Sequence, residues 1–255
     1  MRTVICHYHI YKNSGTTFDR ILTRNFGDRH LCFDGPFPYF SINQQELLKV
    51  IQRNADVVAF SSHQITLPVP TALDINVLPA VFVRHPLLRI QSIYSFKRAE
   101  KDGTDTSRNA EQMEFDEWCE HCLGHPREVT LVSNAQTRML GAVTGESALA
   151  QRTKTGMVYD FHQALRNLRT VDLLARTEYF DADVGRFPAL LAAHGIELSV
   201  EDTTPANVTV DDLGKSLQER LQQLRESVPK ALYEALVAAN EQDLALYEQA
   251  CMRLD

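Results

Sequence analysis

Apolar positions along the chain fall into two kinds of run. Short, nearly continuous β-rich runs at 3–8, 56–60, 79–83 and 171–175 predict strands buried on both faces, as in a parallel sheet. Between them lie stretches with helical spacing. One begins near Phe18; others cover 44–54 (with Leu47, Leu48 and Ile51 on one side), 88–100, 115–123, 134–140, 161–168 and 180–194, the last closed by Gly195. Two amphipathic segments, 211–226 and 231–252, end the chain, the first carrying Leu213, Leu217, Leu221 and Leu224 at helical spacing. Residues 34–39 and 203–209 read as loops from their turn residues, and the polar stretch 101–112 predicts a mobile loop or lid. Strands alternating with helices predict an α/β fold. We expect one three-layer domain over 1–255, with a central, mostly parallel sheet of about four to five strands flanked by helices.

Two of the predicted strands run into chemically distinctive turns. His9-Ile10-Tyr11-Lys12-Asn13-Ser14-Gly15-Thr16-Thr17 is a small polar loop between a strand and a helix. That arrangement aims backbone N–H groups and the positive end of a helix dipole at an anion. Lys12 adds a cation, and Ser14, Thr16 and Thr17 add hydroxyl donors, which makes the stretch a phosphate cradle. An ordinary β–α turn that happens to hold one lysine has the same local pattern. Arg84-His85-Pro86 forms the second turn. Pro86 biases His85 away from helix, and Arg84 offers a planar fork suited to phosphate, with Ser92 on the helix that follows. Taken singly, Arg84 also suits a surface salt bridge and Ser92 a helix–sheet contact. A third strand ends in the polar tip Ser61-Ser62-His63-Gln64. Ligands of open α/β sheets sit beyond the carboxyl ends of strands, so His63 lies near the cradle if the two strands are neighbours.

Composition narrows the picture. With 255 residues, 44% of them hydrophobic, the chain can bury a full core. A net charge of −7 and a pI near 5.7 argue against a general nucleic-acid coat protein. No run approaches the roughly 18 apolar residues of a membrane span. The first strand begins within about three residues of the start, leaving no room for a signal peptide. Five cysteines without an obvious framework fit a reducing compartment, so a soluble, cytoplasmic protein is expected. Cys119-Glu120-His121-Cys122, with His125 nearby, is a single CxxC without a second pair and reads as a half-buried helix rather than a zinc site.

Read together, the two turns resemble a known family. The stretch 9–17 resembles the 5′-phosphosulfate loop of sulfotransferases that use 3′-phosphoadenosine 5′-phosphosulfate (PAPS). The stretch 81–96 is similar to that family's 3′-phosphate motif, keeping Arg84, His85-Pro86, Arg89, Ser92, Tyr94 and Phe96 in order and spacing. Weaker echoes at 134–140, 176–180 and 240–247 resemble the carbohydrate branch related to heparan sulfate 2-O- and 6-O-sulfotransferases. The resemblance implies a P-loop-like fold. It implies transfer of a sulfuryl group from PAPS to an acceptor hydroxyl, by family weight on a carbohydrate, leaving adenosine 3′,5′-bisphosphate. It places Lys12, Asn13, Ser14, Gly15, Thr16, Thr17, Arg84 and Ser92 around the donor, with Asn207 and Thr209 on a loop that closes over the nucleotide. Lys12 serves the leaving group and His63 is the preferred general base, with His7, His9, Asp34 and Glu178 as rivals. His85 is a structural part of the turn, and no metal is needed.

Three departures matter. Tyr11 stands where the family usually has proline. Ser61-Ser62-His63 keeps only the last histidine of a His-Gly-His tip found in the heparan 2-O enzymes, so the acceptor does not carry over. Golgi members also carry an N-terminal membrane anchor; none is expected here, which points to a soluble, bacterial-type enzyme or to a piece trimmed from a longer protein. Two other readings stay open at this point. A P-loop kinase or NTPase is disfavoured because the chain lacks GxxxxGK[ST], Lys12 preceding Gly15. A non-catalytic nucleotide-binding module would show the same pocket without turnover.

Overall fold

Most strand positions are buried, and the strands form one five-stranded, wholly parallel sheet. The computed structural model describes residues 1–36, 41–143, 158–201 and 214–255. Its strands are β1 (Arg2–Tyr8), β2 (His30–Cys32), β3 (Ala59–Ser62), β4 (Ile75–Val83) and β5 (Leu173–Arg176), in the order β2-β3-β1-β4-β5. The expected α/β class and strand count therefore hold. The chain leaves β1 toward β2 and β3, then crosses to β4 and β5 on the other side, so the strand order reverses at β1. That reversal is where an open parallel sheet leaves a crevice at its carboxyl edge. Tyr8 lies level with both Ser62 of β3 and Val81 of β4, which brings three strand ends to one edge.

The period-2 alternation of β1 divides the core. Val4, Cys6 and Tyr8 face a layer built from α2 (Gln44–Arg53), α8 (Phe161–Arg169) and α13 (Glu241–Leu254), through Leu47, Ile51, Leu168 and Leu246. Ile5 faces the opposite layer of α1 (Gly15–Phe26), α9 (Phe180–Val184) and α10 (Phe187–Ala192), through Phe18, Ile21, Phe180 and Phe187. A third cluster packs α3 (Pro86–Glu100) against α5 (Phe115–Gly124), α11 (Leu217–Ser227) and α12 (Lys230–Ala239) around the fully buried Trp118. Among the described residues, no helix is long and apolar enough to cross a membrane.

Some expectations need correction. The stretch read as a mobile loop, 101–112, contains α4 (Asp105–Gln112). Thr104 caps it, its hydroxyl accepting from Ser107 N at 3.3 Å, and Ser107 and Ala110 are buried, so tertiary packing overrides a polar composition. The helix expected over 180–194 breaks into α9 and α10, where Pro188 has no N–H to offer the carbonyl of Val184. The helix expected over 231–252 breaks at Asn240, whose side chain donates to the carbonyls of Val132 (2.6 Å) and Leu236 (2.9 Å). The strand expected at 56–60 lies further on, at Ala59–Ser62, and the short edge strand β2 has no counterpart in the apolar pattern. Part of the predicted 211–226 segment lies outside the described residues; the described part is α11, capped by Ser216 and Glu219.

Candidate active site

The loop between β1 and α1 is bent by two left-handed residues, Lys12 (φ 66°) and Ser14 (φ 61°). Neither is glycine, and such backbone costs on the order of 1–3 kcal/mol per residue unless its surroundings hold it. Here they do. Asn13 is fully buried and its amide donates to the Phe82 carbonyl (2.8 Å) and to Gln136 Oε1 (2.7 Å). Arg84 Nη1 donates to the Lys12 carbonyl at 3.0 Å, and Arg89 Nε to the Tyr11 carbonyl at 3.0 Å. Tyr11 also packs edge-on against Phe96 of α3, with ring centroids 5.6 Å apart. The stiffness that a proline would supply is thus replaced by docking onto α3. Gly15 opens the helix in direct contact with His9: a Cβ at Gly15 would lie 2.1 Å from His9 Cδ2. The first-turn amides of Gly15 and Thr16 have no acceptor within the helix, which is what an anion at this position would use. Thr16 is exposed, Ser14 half-buried and Thr17 buried. The Asn13 side chain thus holds the loop to β4 and to Gln136.

Lys12 turns its ammonium over the Phe96 ring, 4.3 Å from the centroid. Partial burial, with the neighbouring Arg84 charge adding to it and Glu100 opposing, pushes its pKa down to about 8. The ammonium is therefore still mainly charged at neutral pH, but closer to losing its proton than an ordinary lysine.

The turn after β4 is held by side chains from distant segments. Gln136 Oε1 accepts from Arg84 N at 2.8 Å, and Gln136 Nε2 donates to the Arg84 carbonyl at 2.8 Å. The Glu178 carboxylate, nearly inaccessible, accepts from His85 N (3.2 Å) and from the Tyr247 hydroxyl (2.9 Å), and lies 3.7 Å from Arg84 Nε. This occupation removes Glu178 from the candidate bases. Burial pushes the His85 imidazole down to about 4, and its Nδ1 is enclosed without a hydrogen-bond partner, consistent with a neutral, structural ring. Pro86 opens α3, where its missing N–H costs nothing, and Ser92 stands half-buried on that helix.

Gln136 is in turn placed by a reciprocal cap between α7 (Ala135–Leu140) and α13. Asn134 Oδ1 accepts from Gln242 N and Asp243 N, both at 3.1 Å. Asp243 accepts from Gln136 N (3.0 Å) and Thr137 N (2.7 Å). Each helix start is capped by the other segment.

On the other side of the cradle, β3 lies next to β1, which brings the His63 tip beside it as expected from the strand ends. Asp34 fixes that tip, accepting from Ser62 Oγ (2.7 Å) and His63 N (3.0 Å). His63 Nδ1 lies 2.8 Å from the His9 carbonyl, and the two imidazole centroids are 3.9 Å apart. Loss of solvation lowers the pKa of both rings; for His63 the proximity of His9 adds to it, and for His9 the bond to Asp19 opposes it. Asp34 is engaged at the tip and His7 is fully buried, so among the expected candidates His63 and His9 are the two whose rings meet at the cradle. Two groups, His7–His9–Asp19 and Asp19–His30–Cys32, bring three metal-type donor atoms within 4.8 Å of one another. The His7–Asp19 and His9–Asp19 contacts, 2.7 and 2.9 Å, have hydrogen-bond lengths. Cys119 and Cys122 are buried with thiols raised by desolvation, as a half-buried helix requires.

The profile described as the sulfotransferase family matches residues 2–248, spanning both turns and the histidine tip. The chain belongs to the sulfotransferase family. An uncharacterized protein of Archaeoglobus fulgidus is 31% identical over 267 residues, an alignment covering 97% of this chain and 96% of that one. In this sulfotransferase the fold brings Lys12, Gly15, Thr16, Arg84 and His63 to one edge of the sheet. Asn207 and Thr209 lie outside the described residues. A groove of about 1090 Å³ opens on the far side of the Arg84 turn, between His85, Tyr233, Glu241 and Tyr247, but it holds none of the cradle groups. Sequence reasoning missed Gln136, Asp19 and the clamping role of Glu178. The segments around Gln136 and Glu178 carried family echoes; Asp19 had only its place one turn into α1 after two alternating histidines.

Proposed function

We propose that this sulfotransferase uses PAPS as donor and a carbohydrate hydroxyl as acceptor, in the manner of the heparan sulfate 2-O and 6-O branch, and works in the cytoplasm. The observation that carries the reading is the 3.0 Å bond from Arg84 Nη1 to the Lys12 carbonyl, which joins the two anion-facing turns into one clamp. A clamp of two cationic turns suits a nucleotide phosphorylated at both ends better than a triphosphate on one loop. The acceptor oxygen attacks sulfur in line, the bond from sulfur to the bridging phosphate oxygen breaks, and the acceptor proton passes to His63. Lys12 and the first-turn amides of α1 balance charge on the departing phosphate. Arg84 and Ser92 grip the 3′-phosphate. All five cysteines are free, which fits a reducing compartment.

Thermal unfolding with nucleotides tests the donor. Adenosine 3′,5′-bisphosphate is expected to raise Tm, and ATP with magnesium is not. Stabilisation by ATP alone would sink the reading in favour of a kinase, and binding without turnover of labelled PAPS on any acceptor of a glycan and metabolite panel would leave a binding module. His63→Ala is expected to lower kcat by roughly 10²-fold or more while nucleotide affinity stays nearly intact; unchanged turnover removes His63 from the mechanism.

A further inference from the structure

The steps above give Asp19 no part, although its carboxylate meets two imidazoles beside the cradle. The alternation of β1 carries Ile5, His7 and, one step beyond the strand, His9 to the face beneath α1. Asp19, one turn into α1, comes down onto both imidazoles. Its Oδ1 lies 2.7 Å from His7 Nδ1 and its Oδ2 2.9 Å from His9 Nδ1. Burial opposes the charge on Asp19, but the hydrogen bonds from His7 and His9 outweigh it and hold the carboxyl well below the usual range. An ionised carboxylate only accepts, so both rings carry their proton on Nδ1. The bare nitrogen of His9 is then Nε2, on the ring edge pressed against Gly15, 2.2 Å from where a Cβ would stand. His63 obeys the same logic: its Nδ1 faces the His9 carbonyl, which only accepts, leaving its Nε2 bare. Two imidazoles of the same tautomer, 3.9 Å apart, therefore lie beside the start of α1.

We propose that Asp19 is a positioning residue of the transfer site: by fixing His9 in the Nδ1–H tautomer it turns a second proton-accepting nitrogen, His9 Nε2, onto the cradle beside His63. The carboxylate does not itself take the proton. It orients the ring and favours the imidazolium that forms, as a buried acid behind a catalytic histidine does in hydrolases. With the ring centroids 3.9 Å apart, only one of the two neutral imidazoles takes up the extra proton to become imidazolium at a time, because a second positive charge at this distance is repelled. The tautomer assignment stands on the hydrogen bonds alone; the kinetic consequence rests on the sulfotransferase reading.

Two measurements test this. Long-range ¹H–¹⁵N spectra of the ligand-free wild-type protein read imidazole tautomers directly. His9 and His63 are expected as Nδ1–H, and a His9 found as Nε2–H overturns the proposal whether or not any variant folds. In Asp19→Ala, His9 is expected to gain the Nε2–H form, and kcat to fall roughly 10²-fold, with affinity for adenosine 3′,5′-bisphosphate kept within about twofold. Wild-type kcat in Asp19→Ala overturns the proposal. So does a loss of nucleotide affinity that matches the loss of turnover, because that marks an acid that merely supports the fold. If adenosine 3′,5′-bisphosphate fails to bind even the wild-type protein, the donor reading fails while the tautomer measurement still decides the role of Asp19.

Discussion

The turn after β1 and the turn after β4 both end a buried parallel strand and both open a helix, yet they are held in different ways. The first is bent by left-handed Lys12 and Ser14 and has no proline; it keeps its shape because Asn13, Arg84 and Arg89 bond it to β4, α3 and α7. The second begins its helix with Pro86 and is fixed from outside by the carboxylate of Glu178 and the amide of Gln136. The first turn therefore presents helix-start amides and an ammonium lying over the Phe96 ring, while the second presents a guanidinium bonded back to the first. In the proposed reaction the ammonium would meet charge as it develops, and the guanidinium would hold the 3′-phosphate, which does not change. Neither turn is independent, since Gln136 bonds to Asn13 of one and to Arg84 of the other.

The largest expected effect separates these roles. Lys12→Ala should lower kcat by about 10²–10³-fold with a smaller change in nucleotide affinity. Arg84→Ala should instead weaken adenosine 3′,5′-bisphosphate binding by about tenfold or more, the scale of a lost charged hydrogen bond. Steady-state kinetics and calorimetry read both, and an identical split of kcat and affinity in the two variants would erase the distinction between the turns. Gln136→Ala ranks next. It strands the buried amide of Asn13 and the Arg84 N–H, at a cost of about 1–3 kcal/mol in urea unfolding, and should weaken nucleotide binding through both turns at once. Unchanged stability would show that the turns are braced separately. The smallest effect is on pH. Bound phosphate favours the charged form of Lys12, whose pKa is pushed down to about 8 in the free protein. Nucleotide affinity should therefore be full below that value and decline as pH rises through it. The decline should be absent in Lys12→Ala; its persistence there would assign the titration to another group.

Four of the five strands were legible, one of them displaced, because a parallel sheet buries both faces and leaves continuous apolar runs, and the two turns because they are short and local. The helix α4 was not, since its polar residues form a helix only where Thr104 caps it and α3 and α5 cover Ala110. Nor was the break at Asn240, because two of its partners, Val132 and Asn134, lie more than 100 positions away in the chain. The same holds for the site. Lys12 and Arg84 announce themselves beside glycine, serine and proline, whereas the bracing of Arg84 comes from Gln136 and Glu178 in later segments.

The chemical inventory of this protein — a lysine in a small-residue loop, an arginine before a proline, a histidine at a strand tip — is written in local order and needs no coordinates. Which of those groups remain available is a different matter. Asn13 turns inward to hold the loop, Glu178 is taken up by His85 N and the Tyr247 hydroxyl, and His9 lies against His63 with its Nδ1 on Asp19. Hydrogen-bond capacity and solvent access are properties of pairs of residues in space. A chain that folds by crossing from one side of β1 to the other makes those pairs between segments that no local pattern connects.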